Sequence, residues 1–466
     1  MSRAAATCLA VLAAALMACP PPAATRDGGA PLDPRCVPDG GTFAPQLQVL
    51  FDGGLAFQSL RMDEVATVQL DGLPPCTDVR LTFSLAAGAS STAVFSSGFD
   101  GVVNTALHAP TLGTWTTVDP TGPLWSMLGD ARGDPTISIS ADINAGETLD
   151  VVWQRRPWAD DRDALPVRGY RGVWGDLYVP AGTGPFPAVL VLGRPEGGAR
   201  QATHLAQALL NAGFVTFGVW YVDPENPALP ATLERVPLEY LHTALEVLKE
   251  SRDVRPDRLG VIGLGRGGEA ALLLAAQTAE LKAVVAVAAS GVAWPAPGGA
   301  APAWTSGDAG VAFLPLGAAA PTTRLDGQGR ELRADRPVYA DGYQRATPAE
   351  RAAAEIAVER IAGPVLLLGA GDDQVWPSCV LSQVAFDRLR DGGHPARYPA
   401  DALVCHEQAG HALNPANVGL PAGDADVFDA EGTWLDLGGT ARGTGHGNRA
   451  AWQRTVQFLD AALKTP

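Results

Sequence analysis

A chain of 466 residues with 47% hydrophobic and 18% charged residues is long enough for two or three domains with substantial cores, and its composition is that of a globular protein, not a disordered one. Its formal charge of −16 argues against nucleic acid and anionic membrane surfaces as partners, because both attract basic patches.

Near the start, Arg3 is followed by an apolar run over residues 4–18, too short to cross a bilayer as a mature helix. The run closes in Leu16-Met17-Ala18-Cys19, which resembles the lipobox of bacterial lipoproteins. That resemblance implies removal of residues 1–18, lipidation of Cys19 and a lipid-anchored protein of the bacterial cell envelope, facing the periplasm or the exterior. A plain secretory signal cleaved nearby is the alternative. No later stretch is long and apolar enough to span a bilayer. With Cys8 in the signal and Cys19 lipidated, Cys36, Cys76, Cys379 and Cys405 remain, an even set that fits disulfides in an oxidising compartment. Of the possible pairings, Cys36–Cys76 with Cys379–Cys405 is preferred, since each bond then stays inside one expected domain.

Residues 19–45 are rich in Pro, Gly, Ala and Asp without periodicity, and read as a flexible tether. Over residues 46–155 the text changes to short strands, at residues 67–70, 79–85, 136–143 and 148–152, with turn residues between them. This is the signature of an all-β, immunoglobulin-like sandwich. Residues 153–165 are charged and contain Pro157, which marks a domain boundary.

Strands then alternate with helices over residues 165–466. Strands are expected at 172–179, 188–192, 215–220, 259–264, 283–288, 365–368 and around 396–404. Helices are expected at 201–211, 238–251, 269–277, 379–390 and 449–463. The fold class is therefore α/β, with a mainly parallel sheet covered on both faces. Residues 291–342, a long Gly/Pro/Ala insertion, interrupt this alternation and are expected above the carboxyl ends of the strands, as a lid or pocket wall.

Residues 258–269, RLGVIGLGRGGE, read as a strand, a tight Gly-rich turn and the start of a helix. That is the shape of a nucleophile elbow, G-x-S-x-G. Here the string is Gly263-Leu264-Gly265-Arg266-Gly267, so glycine stands at the nucleophile position. No Ser, Cys or Thr occurs over residues 254–276, and a shift of register rescues nothing. A dinucleotide G-x-G-x-x-G would need an acid at the end of the next strand, which instead ends in Ala289-Ser290-Gly291. No cofactor is expected.

Residues 100–127, DGVVNTALHAPTLGTWTTVDPTGPLWSM, resemble the N-terminal domain of the acyl-CoA thioesterase / bile acid-CoA:amino acid N-acyltransferase family, and Trp125-Ser126-Met127 closes the match. The likeness runs over about residues 46–463. It implies a C-terminal α/β-hydrolase domain, with an acyl ester or thioester as its small-molecule partner. Residues 363–378, GPVLLLGAGDDQVWPS, resemble the family's G-x-D-D-x-x-W-x-S run, which gives Asp373 the place of the catalytic acid, with Asp372 as second choice. Gly410-His411 resembles the pair that supplies the family's catalytic histidine. Imidazole suits a general base because its unperturbed pKa, about 6.5, lies near working pH. His406 and His446 are the alternatives. A zinc site from Cys405, His406 and His411 has suitable residue types but no recognisable ligand spacing, so no metal is expected.

Small residues at 193–198 would let main-chain N–H groups approach an oxyanion. Glu196, Gly197 and Gly198 match the family loop, whereas Arg194-Pro195 departs from it, and Pro195 brings no N–H. The N–H of Arg266 is the other expected donor. With Gly265 in place of a nucleophile, acyl-enzyme chemistry is expected to be lost or very weak. Two further readings stand beside that one: a His411–Asp373 dyad that activates water, and an envelope lipoprotein that only binds an acyl ligand. Acyl-CoA is a cytosolic metabolite, so an acyl ester of the envelope suits an exported protein better.

Overall fold

The computed structural model describes residues 34–36, 42–51, 54–55, 59–61, 63–129, 136–143, 146–156, 164–195, 198–327, 329–415 and 433–465. Residues 1–18, Cys19 and most of the expected tether lie outside these. Among the described residues no helix is long and apolar enough to cross a membrane.

The N-terminal part is built from two sheets, one of four strands and one of six. Strand Asp78–Leu85 alternates buried Val79, Leu81, Phe83 and Leu85 with half-exposed polar neighbours, as a strand with one wet face must. It lies between Ser90–Ser96 and Thr136–Ile143, both antiparallel to it. The strand at Ser90–Ser96, with its serines and alanine, carries too weak an apolar signal to stand out in sequence. The side chains of Trp115, Leu124, Trp125 and Met127 join this core. The Cys36–Cys76 disulfide ties the start of the described chain to it.

The C-terminal part is an eight-stranded sheet of strands β1 (Leu165–Tyr170), β2 (Val173–Tyr178), β3 (Phe186–Leu192), β4 (Val215–Trp220), β5 (Val254–Leu264), β6 (Leu281–Val287), β7 (Val365–Ala370) and β8 (Ala402–His406). Their order is β1-β2-β4-β3-β5-β6-β7-β8. β1 and β2 run antiparallel to their neighbours and the rest are parallel. Helices α1 (Gly198–Asn211), α2 (Leu238–Lys249), α3 (Arg266–Ala275), α4 (Ser378–Asp391) and α5 (Ala441–Leu459) accompany it. Central strands buried on both faces read as unbroken apolar runs, as in VLLLGA of β7. Separate apolar cores fill the two sides of the sheet. The Cys379–Cys405 disulfide joins α4 to β8, so both expected disulfide pairs are formed.

Several details differ from the sequence reading. The sheet's first strand is β1, at Leu165–Tyr170, where a boundary was expected to end. β8 starts only at Ala402, because a short helix at His394–Arg397 takes up the preceding residues. α5 begins at Ala441, not 449, with the Thr440 side chain accepting from Gly443 N–H at 2.9 Å to cap it. The insertion over residues 291–342 carries two short hairpin pairings and the helix Arg336–Arg345.

Asp119 joins the two parts. Its Oδ2 accepts from Trp125 Nε1 at 2.9 Å and lies 2.6 Å from Nε2 of His446 on α5. The Asp-Pro-x-Gly-x-x-Trp run therefore docks the N-terminal sheets on the last helix.

Candidate functional site

Strand β5 ends at Leu264 and α3 begins at Arg266, so Gly265 alone makes the turn, with φ 54° and ψ −119°. A side chain at such angles is strained, by about 1–3 kcal/mol. Glycine carries none of that strain. Gly265 N–H donates to Val287 O at 2.8 Å, which pins the turn to the end of β6. Gly267 meets a different demand. A Cβ there would collide with the carbonyl oxygens of Leu192 and Gly193, so α3 starts pressed against the end of β3. The backbone is that of an elbow, without the side chain an elbow presents.

Asp373 sits in the loop after β7 and is fully buried. Its Oδ1 accepts from the N–H groups of Val375 and Trp376 at 3.0 and 3.1 Å. Its Oδ2 lies 2.8 Å from His411 Nδ1. His411 is itself held by a 2.6 Å hydrogen bond from its N–H to Leu437 O and by the Trp376 ring, whose centroid lies 5.7 Å away at 79°. Pairing with a carboxylate assigns the proton to Nδ1, which leaves the Nε2 lone pair free to act as a base. That atom faces the elbow: a Cβ on Gly265 would stand 3.3 Å from it.

The other acid and base choices point elsewhere. Asp372 accepts from Gln374 Nε2 at 2.7 Å and from Gly439 N–H at 3.1 Å. His446 is engaged by Asp119. His406 is half-buried, and that burial lowers its pKa. The sulfur of Cys405 is bonded to Cys379 and cannot serve a zinc site as a thiolate. Among the described residues no group of three or more His, Cys, Asp or Glu is arranged to hold a metal.

Of the expected oxyanion loop, Glu196 and Gly197 lie outside the described residues, and Gly198 is the first residue of α1. Arg266 opens α3, where main-chain N–H groups lack an intrahelical acceptor. At the start of that loop the Tyr221 hydroxyl donates to Gly193 O. The Arg194 side chain turns inward and is only 5% exposed. Its Nη2 donates to His411 O and, at 3.0 Å, to Leu413 O. Sequence marked Arg194 only as a departure from the family loop; its contact with the elbow is a long-range one that no local signal carries.

Sequence reasoning missed a second cluster, directly behind the elbow. The Arg266 guanidinium lies 2.8 Å from Glu269 Oε2 and donates to the carbonyl oxygens of Trp294 and Pro295 at 2.8 and 3.0 Å. Glu269 Oε1 accepts from Trp304 Nε1 at 2.7 Å and from Trp294 N–H at 3.4 Å. Burial pushes the Glu269 carboxyl up to about 7, against the pull of Arg266 and of these hydrogen bonds. The insertion is thus tied to the first turn of α3. Its Tyr339 stands edge-on between Trp294 and Trp376, continuing an aromatic row that ends at His411.

The site therefore holds an oriented acid–base pair directed at a position with no nucleophile. It can take a proton from a group brought to Nε2, but no side chain at the turn can carry an acyl group.

Family comparisons agree with this architecture. The profile described as BAAT / Acyl-CoA thioester hydrolase C terminal matches residues 236–465, and the one described as Acyl-CoA thioester hydrolase/BAAT N-terminal region matches residues 63–142. The chain is similar to acyl-coenzyme A thioesterase 6 of Mus musculus, 26% identical over 368 residues, covering 75% of this chain and 81% of that protein. It is also similar to acyl-coenzyme A thioesterase 1 of Rattus norvegicus, 24% identical over 421 residues, covering 86% and 94%. Among solved structures, an alpha/beta hydrolase from Penicillium sp. sh18 aligns with a TM-score of 0.38 at 14% identity, covering 63% of this chain and 95% of that one.

Proposed function

Because the chain belongs to the acyl-CoA thioester hydrolase / bile acid-CoA:amino acid N-acyltransferase family of α/β-hydrolase-like proteins, we propose that it binds acyl esters or thioesters at a hydrolase site that has kept its acid and base and lost its nucleophile. One observation carries this reading: the turn between β5 and α3 keeps the elbow's backbone while its residue is Gly265. Without an Oγ or Sγ at the turn, no acyl-enzyme can form there. The lipobox-like Leu16-Met17-Ala18-Cys19 supports a lipid-anchored place in the cell envelope, and with it an acyl ligand of the envelope in preference to cytosolic acyl-CoA.

The intact Asp373–His411 pair favours one second reading, slow hydrolysis by water. In that reaction His411 Nε2 takes a proton from water as its oxygen adds to the acyl carbon. Collapse of the tetrahedral intermediate breaks the bond to sulfur or oxygen, and the imidazolium returns the proton to the leaving group. In triad enzymes stripped of a member, only ~10³–10⁴-fold catalysis over water remains.

Steady-state assays of purified wild type and His411→Ala on acyl-CoA and p-nitrophenyl esters test this. The reading predicts turnover no more than ~10⁴-fold above the uncatalysed rate. Turnover at ordinary esterase rates that His411→Ala abolishes would sink it.

A further inference from the structure

Two departures from the family pattern, Gly265 at the elbow and Arg194 after β3, meet in space. A Cβ on Gly265 would stand 3.2 Å from Arg194 Cγ and 3.4 Å from its Cδ. These are methylene carbons in the middle of the side chain, and the side chain is fixed beyond them. Its guanidinium is bonded to the carbonyl oxygens of His411 and Leu413. At its base, the neighbouring Gly193 carbonyl is held by the Tyr221 hydroxyl. A surface arginine could swing its stem into water, but one with 5% exposure and an anchored head cannot do so without breaking these bonds.

Resting on the reading that the nucleophile has been lost, we infer that Arg194 takes up the space a nucleophile side chain at position 265 would need, so that Gly265 and Arg194 form one coupled unit that keeps such a side chain away from the acid–base pair. Glycine at 265 makes room for the arginine stem. The stem in turn crowds the space between position 265 and His411 Nε2 that a nucleophile side chain would occupy. Contacts of 3.2–3.4 Å are tighter than ordinary van der Waals packing, so a side chain there requires the anchored stem to move. By bonding the carbonyl of His411, the guanidinium also anchors the base in place. A serine restored at 265 therefore has to displace the anchored stem by a few tenths of an ångström.

The test compares wild type, Gly265→Ser, Arg194→Ser and the double variant by the rate of covalent labelling with a fluorophosphonate and by p-nitrophenyl ester turnover. The double variant is expected to label at least about tenfold faster than Gly265→Ser, a barrier lower by about 1.4 kcal/mol, and to lose that labelling with His411→Ala. Equal labelling of Gly265→Ser and the double variant would overturn the inference while leaving the lost-nucleophile reading intact. Turnover by wild type at ordinary esterase rates, abolished by His411→Ala, would overturn that reading itself. Stability gives a check that needs no activity. Gly265→Ala is expected to lower Tm less in an Arg194→Ala background than in wild type, and equal losses in the two backgrounds would overturn the inference.

Discussion

His411 Nε2 lies 3.3 Å from where the Cβ of a side chain at Gly265 would stand. A base this close to the elbow, with its other nitrogen on a buried carboxylate, has the geometry for activating a nucleophile. Glycine offers it no proton to take.

The Asp373 carboxylate also serves the fold, because Oδ1 satisfies the N–H groups of Val375 and Trp376. Asp373→Ala leaves both groups without that acceptor in a half-buried loop and is expected to destabilise the protein by about 2–5 kcal/mol. Asp373→Asn keeps an oxygen there and is expected to cost clearly less. Urea unfolding of the two variants decides; equal losses would mean that the backbone hydrogen bonds contribute little.

Glu269 gives a pH signature of opposite sign to that of an ordinary salt-bridged acid. Burial raises its carboxyl to about 7 in the folded protein, from the ordinary 4.5. Between those values the folded state holds a proton that the unfolded state has released, so stability falls as pH rises through this window, by up to roughly 3 kcal/mol. Below the window the penalty is absent; above it the penalty is complete. Glu269→Gln is expected to remove this slope. Tm measured from pH 4 to 8 for both proteins checks it, and parallel curves would contradict it.

The Cys379–Cys405 bond spans 26 residues and ties α4 to β8, the strand that precedes His411. Replacing both cysteines with serine is expected to cost about 3 kcal/mol. Because the bond braces the segment that carries the base, the variant should also show faster amide hydrogen exchange at residues 402–413 than wild type. Unchanged exchange there would confine the effect to global stability.

For the proposed anchor, Cys19→Ala expressed in a bacterial host is expected to move the protein from the membrane fraction to the soluble one, and to abolish metabolic labelling with palmitate. Labelling that survives the substitution would rule out Cys19 as the lipid site.

How far the sequence reaches depends on the distance over which each signal acts. β4 occupies residues 215–220, as expected, because an apolar run bounded by turn residues is a local signal. The start of α5 hid behind Gly443, Gly445 and Gly447, glycines that local propensity counts against a helix but that tertiary packing accommodates. Both disulfide pairs followed from keeping each bond within one domain. The absent nucleophile was legible as a single letter at 265. The side chain that takes its space was not, since Arg194 and Gly265 come together only once β3 and β5 pair and α3 packs on their ends. Glu269 was equally silent: it reads as one polar residue in EAALLLA, and only the folded insertion brings Trp294 and Trp304 to it.

Intact-mass spectrometry of the purified protein, acid-quenched during incubation with acyl-CoA and with p-nitrophenyl acyl esters, shows whether an acyl-enzyme forms. An unchanged protein mass is expected at every time point, because Gly265 leaves no side-chain atom to acylate. A mass increase of one acyl group that maps to the elbow or its surroundings and disappears in His411→Ala would contradict it.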